Sequence, residues 1–483
     1  MTDRKPTSAL IWAIHRTAPW WRCVGDHLGF DQATVLTDKR GDGDRWLTDD
    51  FYAAYALFRK DHTLAGPLSD AEVHDVIARC RVLRWQKPEK ARAMAMAMAM
   101  AAEQALDACR PDVLISLPID SYVSDILARL ARRRGVPHFE LTASALPDMC
   151  MLMQRGRLIT SNRATDPALV EAKIHEIADP LFTPSYVQGQ TRYSPARFFR
   201  TLGYFRLRAL AFKLISWIRR DPLNLHYIDA QPTLGHKAKW SDVRVTGLVE
   251  PDWETKLEAF PAERRVLFGL QLIPEAAIDY WLEDLDLLRH EDMLVDLAGR
   301  LAAAGYQVVV KDHPLQFGFR QTALLDRLKA IPNVVVTPYE VSGNALLARC
   351  KVNVTATGTL GLQAALLGNI SITGEAYYVT ADDFVVLGRW DDLEGVVEAV
   401  ATRTPPASLH DRQVRIIDQL LRGSFPAEFF SFQGFDPAAP NPDAAELGRR
   451  LGDRIRELGP EGENWHAINM PASGGRHSGS PLN

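Results

Sequence analysis

The chain has 483 residues, with 56 basic against 60 acidic for a formal net charge of −4, and is 47% hydrophobic and 24% charged. That length is too great for one ordinary core and suits two large domains or three small ones. The composition is globular and the charge balance argues against a general nucleic-acid coat, so no nucleic-acid partner is expected.

The basic N-terminal stretch is followed by only a short apolar run, broken at His15 and Arg16, with no cleavage-like sequence. No uncharged apolar run approaches the ~20 residues of a membrane span, so the expectation is a cytoplasmic protein, peripheral on the inner face of the membrane at most. Five cysteines, Cys23, Cys80, Cys109, Cys150 and Cys350, are widely spaced and form no CxxC pair, as in a protein with reduced thiols.

Ala9 to Ile14 reads as a first strand, followed by His15-Arg16-Thr17 and a tryptophan pair, and Ala33 to Thr37 reads as a second. Asp42-Gly43-Asp44 has the spacing of a metal-recruiting carboxylate pair, but it sits among glycines and charges with no strand leading into it, and no metal is expected there. Asp70 to Arg110 reads as mainly helical. Its tract AMAMAMAM alternates like a strand, yet Ala and Met are strong helix formers and both flanks are helical.

Val113 to Ser116 is the next strand, Pro118 to Asp120 the turn, Tyr122 to Arg134 a helix and His138 to Leu141 a strand, which together make a βαβ unit. This places Asp120 and Glu140 near the carboxyl ends of neighbouring strands, where an acceptor can meet them. Both, with His15, are candidate bases, Asp120 first. Ser194 to Lys239 interleaves aromatic residues with arginines. It reads as a helix packed on its own protein with arginines in water, or as a basic, aromatic helix lying on an anionic membrane. Single-stranded nucleic acid is a third reading, without an RNA motif to support it.

Three later strands end on polar groups. Val266 to Leu270 closes on Gln271, Pro274 and Glu275, with a helix expected from Glu275 to Leu288. Val308 to Val310 closes on Lys311-Asp312-His313-Pro314. Val352 to Val354 leads into the small turn Thr355 to Gly358 and a helix starting at about Thr359, which Gly368 ends. A small-residue turn at a helix N-terminus is an anion seat, because unpaired N–H groups and the positive dipole end face the ligand. Convergence of these three strand ends on one crevice is expected, with His313, Lys311 and the turn at Thr357, Gly358 and Thr359 meeting a phosphate. Later helices are expected at Leu393 to Ala401 and Val414 to Leu421, and a disordered tail from Pro471.

The ordered series LFGLQLIPEAAIDYW, VVVKDHP, LKAIPNVVVTP and TATGTLGLQAALLGNISITGEAYY, roughly Val266 to Tyr378, resembles the capsular polysaccharide biosynthesis family, which includes the capsule Kdo transferases. The resemblance implies a GT-B-like α/β fold, two Rossmann-type domains facing each other across a cleft. It also implies a glycosyltransferase that moves a sugar, Kdo or a related acidic sugar, from a nucleotide-activated donor to a surface or capsular polysaccharide or its lipid-linked acceptor. The nucleotide sugar is a co-substrate and no cofactor is expected. The His-Pro pair, similar to one that binds nucleotide phosphate in bacterial sialyltransferases, favours CMP. Where the family's usual form is TGTxGxEA, this chain carries Gln363 in place of the glutamate, which keeps hydrogen bonding and removes a charge.

The implied division is an acceptor domain over 1–190, a basic, aromatic helical linker over 191–240, a nucleotide-sugar domain over 241–400, helices over 401–470 and a tail over 471–483. No GxSxG, HExxH or Walker sequence, and no GxGxxG after the first strand, points to another enzyme class. A polyol-phosphate transferase of the teichoic-acid type, or a non-catalytic glycan-binding relative, stands as the alternative.

Overall fold

A computed structural model describes residues 6–179, 182, 193–223, 238–273, 275–380, 382–403 and 408–458. The N-terminal half builds a sheet from β1 (Ser8–Ala13), β2 (Gln32–Thr37), β3 (Arg45–Trp46), β4 (Val113–Ser116), β5 (His138–Ala143), β6 (Met149–Gln154) and β7 (Arg157–Leu158). Strands β5-β4-β1-β2-β3 lie side by side and parallel, and β6 joins β5 antiparallel.

The second sheet holds β8 (Arg265–Gly269), β9 (Gln307–Lys311), β10 (Val334–Val336), β11 (Val352–Val354), β12 (Ile370–Thr373) and β13 (Val385–Val386). Its order is β10-β9-β8-β11-β12-β13, with every pair parallel. Counted within each sheet, both run 3-2-1-4-5, the doubly wound order in which chain direction reverses between strands 1 and 4. The protein therefore has two Rossmann-like units, as expected.

Helices cover both faces of each sheet, so the central strands are buried on both sides rather than alternating between buried and exposed. All residues of β4 and of β9 are buried, Lys311 included. The Ala/Met tract lies in the helix Pro88–Cys109, where Ala93 through Ala99 are buried on all sides. There the small alanines permit close approach of neighbouring helices, and the unbranched methionines fill the remaining gaps.

Late in the chain, the helix Leu409–Gly423 leads into β14 (Ser424–Pro426), which pairs antiparallel with β6 of the first sheet. The helix Pro442–Leu458 then packs on Ala18–Asp26. Side chains at Gly448 and Gly452 would collide with the carbonyls of Val24 and Leu28, so the two helices approach at backbone distance. The tail from Pro471 lies outside the described residues.

The helix expected over Glu275–Leu288 does not form as one element. A five-residue π turn, Ala277–Trp281, is followed by a short 3₁₀ turn, Leu285–Leu288. The other unit holds this shape. Arg81 and Arg84 each pair with Asp279 at 3.0 Å, and Arg79 donates to the carbonyls of Leu282 and Glu283 at 2.7 Å. Tyr280 packs against Ile119 and Ala128. Carbonyls captured by arginine cannot continue a helical ladder, so contact between the units overrides the local helix propensity.

Candidate functional site

The carboxyl ends of β9, β8 and β11 are neighbours in the second sheet, and the gap between β8 and β11 is its switch point. Gln271, just past β8, reaches across this gap and donates from Nε2 to Thr357 Oγ1 at 3.1 Å. Beside it, a Cβ on Gly358 would lie 2.8 Å from both Gln271 Oε1 and Thr355 Oγ1, so any larger residue there would displace the Gln271 and Thr355 side chains.

The carbonyls of the turn are tied into the protein. Tyr378 Oη donates to the Gly358 carbonyl at 2.8 Å, and Thr373 Oγ1 donates to that of Ala356 at 2.9 Å. The helix Thr359–Leu366 that follows has no side-chain cap and no acidic residue in its first turn. A turn with occupied carbonyls in front of an uncapped helix start presents positive potential.

His313, half-buried, caps the short turn Pro314–Gln316 and accepts the Leu315 N–H at Nδ1, 3.2 Å away. This fixes the neutral tautomer, with the proton on Nε2. Burial, its largest cause, lowers the His313 pKa further below the ordinary histidine value. His313 thus offers an N–H without carrying a full charge. Pro314 is exposed at the start of the same turn.

Lys311 behaves differently from expectation. It is buried, and its ammonium donates to the carbonyls of Asp312 at 2.7 Å and Tyr339 at 3.3 Å. Burial brings its pKa down to about 8. It braces the loop and does not extend toward an anion.

Sequence reasoning missed the residues that hold this loop. Asp312 and Arg320, both buried, pair at 2.7 Å, Tyr339 donates to the same carboxylate, and Arg320 also donates to the Gln271 carbonyl at 2.8 Å. Gln316 clamps Ile273 with two bonds, one of 2.9 Å from the Ile273 N–H and one of 3.0 Å to its carbonyl. These groups couple the β8 and β9 ends. Asp312 and Arg320 lie eight residues apart in one loop, whereas Tyr339, Gln271 and Ile273 come from other strand ends, and nothing local in the sequence marks those longer links.

Glu275 is half-buried at the mouth between the units, and burial, its largest cause, raises its pKa to about 7. Pro274 lies outside the described residues. Gln363 sits inside the helix behind the turn and donates to the Phe182 carbonyl at 3.2 Å, a carbonyl that Asn344 also engages. An ionised glutamate could not donate there, which gives the departure from the family pattern a physical basis.

Across the cleft, Asp120 lies in the loop after β4, next to Ile119, which packs on Tyr280. Glu140 is fully buried and accepts N–H groups from Ile119 at 3.2 Å and Arg155 at 2.6 Å. It fixes the loop bearing Asp120 and is not open to an acceptor. Of His15 only the backbone is described, in a short 3₁₀ turn. Asp42 and Asp44 are occupied by Lys39 at 2.8 Å and Arg22 at 2.8 Å, and Asp44 also accepts the Val35 N–H. Among the described residues no cluster of three or more His, Cys, Asp or Glu side chains has the arrangement of a metal site.

Two Rossmann-like units facing across a cleft, with polar strand ends on both sides, define a GT-B-like protein. Residues 240–382 match the family model of the capsule polysaccharide biosynthesis proteins, which bears out the resemblance over the second sheet. No curated protein matches by sequence. Similar solved structures include KpsC of Thermosulfurimonas dismutans, a beta Kdo 2,4 transferase, at 15% identity over 63% of this chain and 78% of that one, TM-score 0.28. The UDP-GlcNAc 2-epimerase of Neisseria meningitidis bound to UDP-GlcNAc aligns at 11% identity over 86% and 100%, TM-score 0.22. A glycosyltransferase from Rickettsia africae aligns at 9% over 94% and 98%, TM-score 0.28.

Proposed function

We propose that this protein is a glycosyltransferase of capsule or surface polysaccharide synthesis that takes its sugar, Kdo or a related acidic sugar, from a CMP-linked donor. One observation supports the reading: at the β8/β11 switch point a side chain on Gly358 would press on Gln271 and Thr355, the Ala356 and Gly358 carbonyls of its turn are occupied, and the helix behind it has no side-chain cap. A phosphate fits such a seat.

As the glycosidic bond to the nucleotide breaks, negative charge grows on the leaving phosphate. The first-turn N–H groups near Thr359 and the Nε2–H of His313 stabilise that charge, which removes the need for a metal. Gln271 and Thr357 hold the turn in shape, Pro314 sets the start of the His313 turn, Glu275 lines the approach, and Gln363 braces the helix behind the turn. Asp120, whose loop Glu140 positions, is the base that takes the proton from the acceptor hydroxyl. The acceptor is a glycan or glycolipid.

A thermal-shift comparison of CMP, UDP, GDP and CDP tests the donor, since a ligand that binds the folded state raises its melting temperature. CMP should give the largest shift, and Gly358→Val should abolish it while the protein stays folded. Absence of any nucleotide shift, or an unchanged shift in Gly358→Val, overturns the assignment.

A further inference from the structure

The helix Pro195–Ile218 buries one face on the second unit, through Phe198, Leu202 and Ala209. Phe198 packs edge-on against Phe317, and Phe205 lies against Phe319 with ring centroids 4.2 Å apart. A surface helix ordinarily turns polar residues outward. This one does not. Tyr204, Leu207, Leu210, Leu214, Trp217 and Ile218 are between 58% and 72% exposed. At 3.6 residues per turn these six fall within an arc of roughly 140° centred on Leu207, opposite the buried face. Phe199 and Trp240, also exposed, stack near one end of the helix with centroids 6.0 Å apart and extend the patch.

An exposed apolar surface of this continuity marks an interface, and the charges at its rim identify the occupant. Arg206 and Lys213 lie along one edge of the apolar arc, Arg208 and Arg219 along the other, exposed Arg200 falls within the arc toward its N-terminal end, and the helix contains no acidic residue. Arg206 also donates to the Ala238 carbonyl at 2.8 Å, which holds it at that edge. Pairing with a second copy through this face would bring cationic rims together. A bilayer with anionic headgroups satisfies both features. The apolar arc enters the acyl boundary, the basic side chains reach the phosphates, and Tyr204 and Trp217 suit the interface depth.

We infer that this helix face seats the protein on an anionic phospholipid surface, lying in the plane of the membrane. No helix among the described residues is long and apolar enough to span a bilayer. The inference is independent of the donor-site reading, because vesicle binding requires neither nucleotide nor transfer.

Flotation of the full chain with phosphatidylcholine vesicles, with and without phosphatidylglycerol, tests it. The protein should float with the anionic vesicles and largely remain behind with the neutral ones. Leu207→Glu/Leu214→Glu should reduce the bound fraction ~10-fold or more, and Lys213→Glu/Arg219→Glu should do the same, with each variant retaining the parent melting temperature. No flotation of the parent overturns the inference, as does undiminished flotation of the leucine variant. A parent that is dimeric in solution, does not float and becomes monomeric in Leu207→Glu/Leu214→Glu would assign the face to a second copy instead.

Discussion

The two sheets share the order 3-2-1-4-5, yet their switch points treat the helix after the fourth strand in opposite ways. In the first unit the helix Tyr122–Arg133 carries Asp125 in its first turn, fully buried and paired with Arg129 at 3.0 Å and with Arg155. The positive end of that helix is answered from within the fold. In the second unit the helix Thr359–Leu366 has no acid in its first turn and no cap, and begins behind a glycine. Its positive end meets neither an acid nor a side-chain cap, and it is here that the proposed donor phosphate would sit. Shared topology places a helix start at the switch point of both units, and under the proposed function the acid present in one first turn and absent from the other separates a site closed by the protein from one open to a ligand.

The most severe way to break this contrast is to unpin the second switch point. Asp312→Ala leaves buried Arg320 with only the more distant Glu291, 3.6 Å away, and should destabilise the protein by about 3 kcal/mol, read from denaturant unfolding. A loss below about 1 kcal/mol would mean that the pair does not organise the loop.

The first switch point can be probed through Glu140. Burial holds its pKa at about 7 against an ordinary 4.5. The unfolded chain releases this proton near pH 4.5 while the folded protein keeps it to about pH 7. Its contribution to stability is thus fully present below pH 4.5, declines across that interval and is constant above it. Glu140→Gln has no such decline, so the stability gap between parent and variant should change by on the order of 3 kcal/mol from acid to neutral pH. A gap independent of pH would show that the carboxyl is already ionised in the fold.

His313→Ala tests the external-anion half of the comparison. Removing the Nε2–H donor should lower turnover ~100-fold with little change in melting temperature. Unchanged nucleotide binding and transfer in a folded variant would detach His313 from the site.

The smallest effect is expected at Gln363. A carboxylate facing the Phe182 carbonyl loses one hydrogen bond, about 1 kcal/mol, and Gln363→Glu should weaken donor binding correspondingly. Tighter binding would instead mark the glutamine as a defect in the donor pocket.

The strands and the turn at this site were legible in the sequence because their signals are local. Val308 to Val310 is a β-branched run and Val352-Asn353-Val354 is valine-rich, ending at a proline loop and a glycine turn respectively, and both form strands at those places. The Ala/Met tract was legible for a similar reason, since its flanks share its helix propensity. What failed was any feature set by a distant partner. Glu275 to Leu288 has helical spacing, but Arg79, Arg81 and Arg84 capture its carbonyls and Asp279, and no window around residue 280 contains them. Tyr339, which joins the Asp312–Arg320 pair from the next strand end, was hidden likewise. Lys311 was misjudged because a lysine at a strand end suggests a ligand contact until the two carbonyls that receive it are known.

The return of the chain to its first sheet also sets an order of assembly. Trp20 donates to Ser431 and Arg456 to the Leu28 carbonyl, contacts that join residues more than 400 positions apart. Until β14 and the helix Pro442–Leu458 have been synthesised, β6 keeps an unpaired edge and the Ala18–Asp26 helix an uncovered apolar side. Loop closure over such a span is slow, and exposed edges recruit other chains in the interval. During synthesis the second unit, whose strands all lie between residues 265 and 386, can complete its sheet before the first. The N-terminal unit is therefore the last to finish and the one most dependent on chaperone protection, and truncations that remove residues 424–458 should aggregate through the β6 edge.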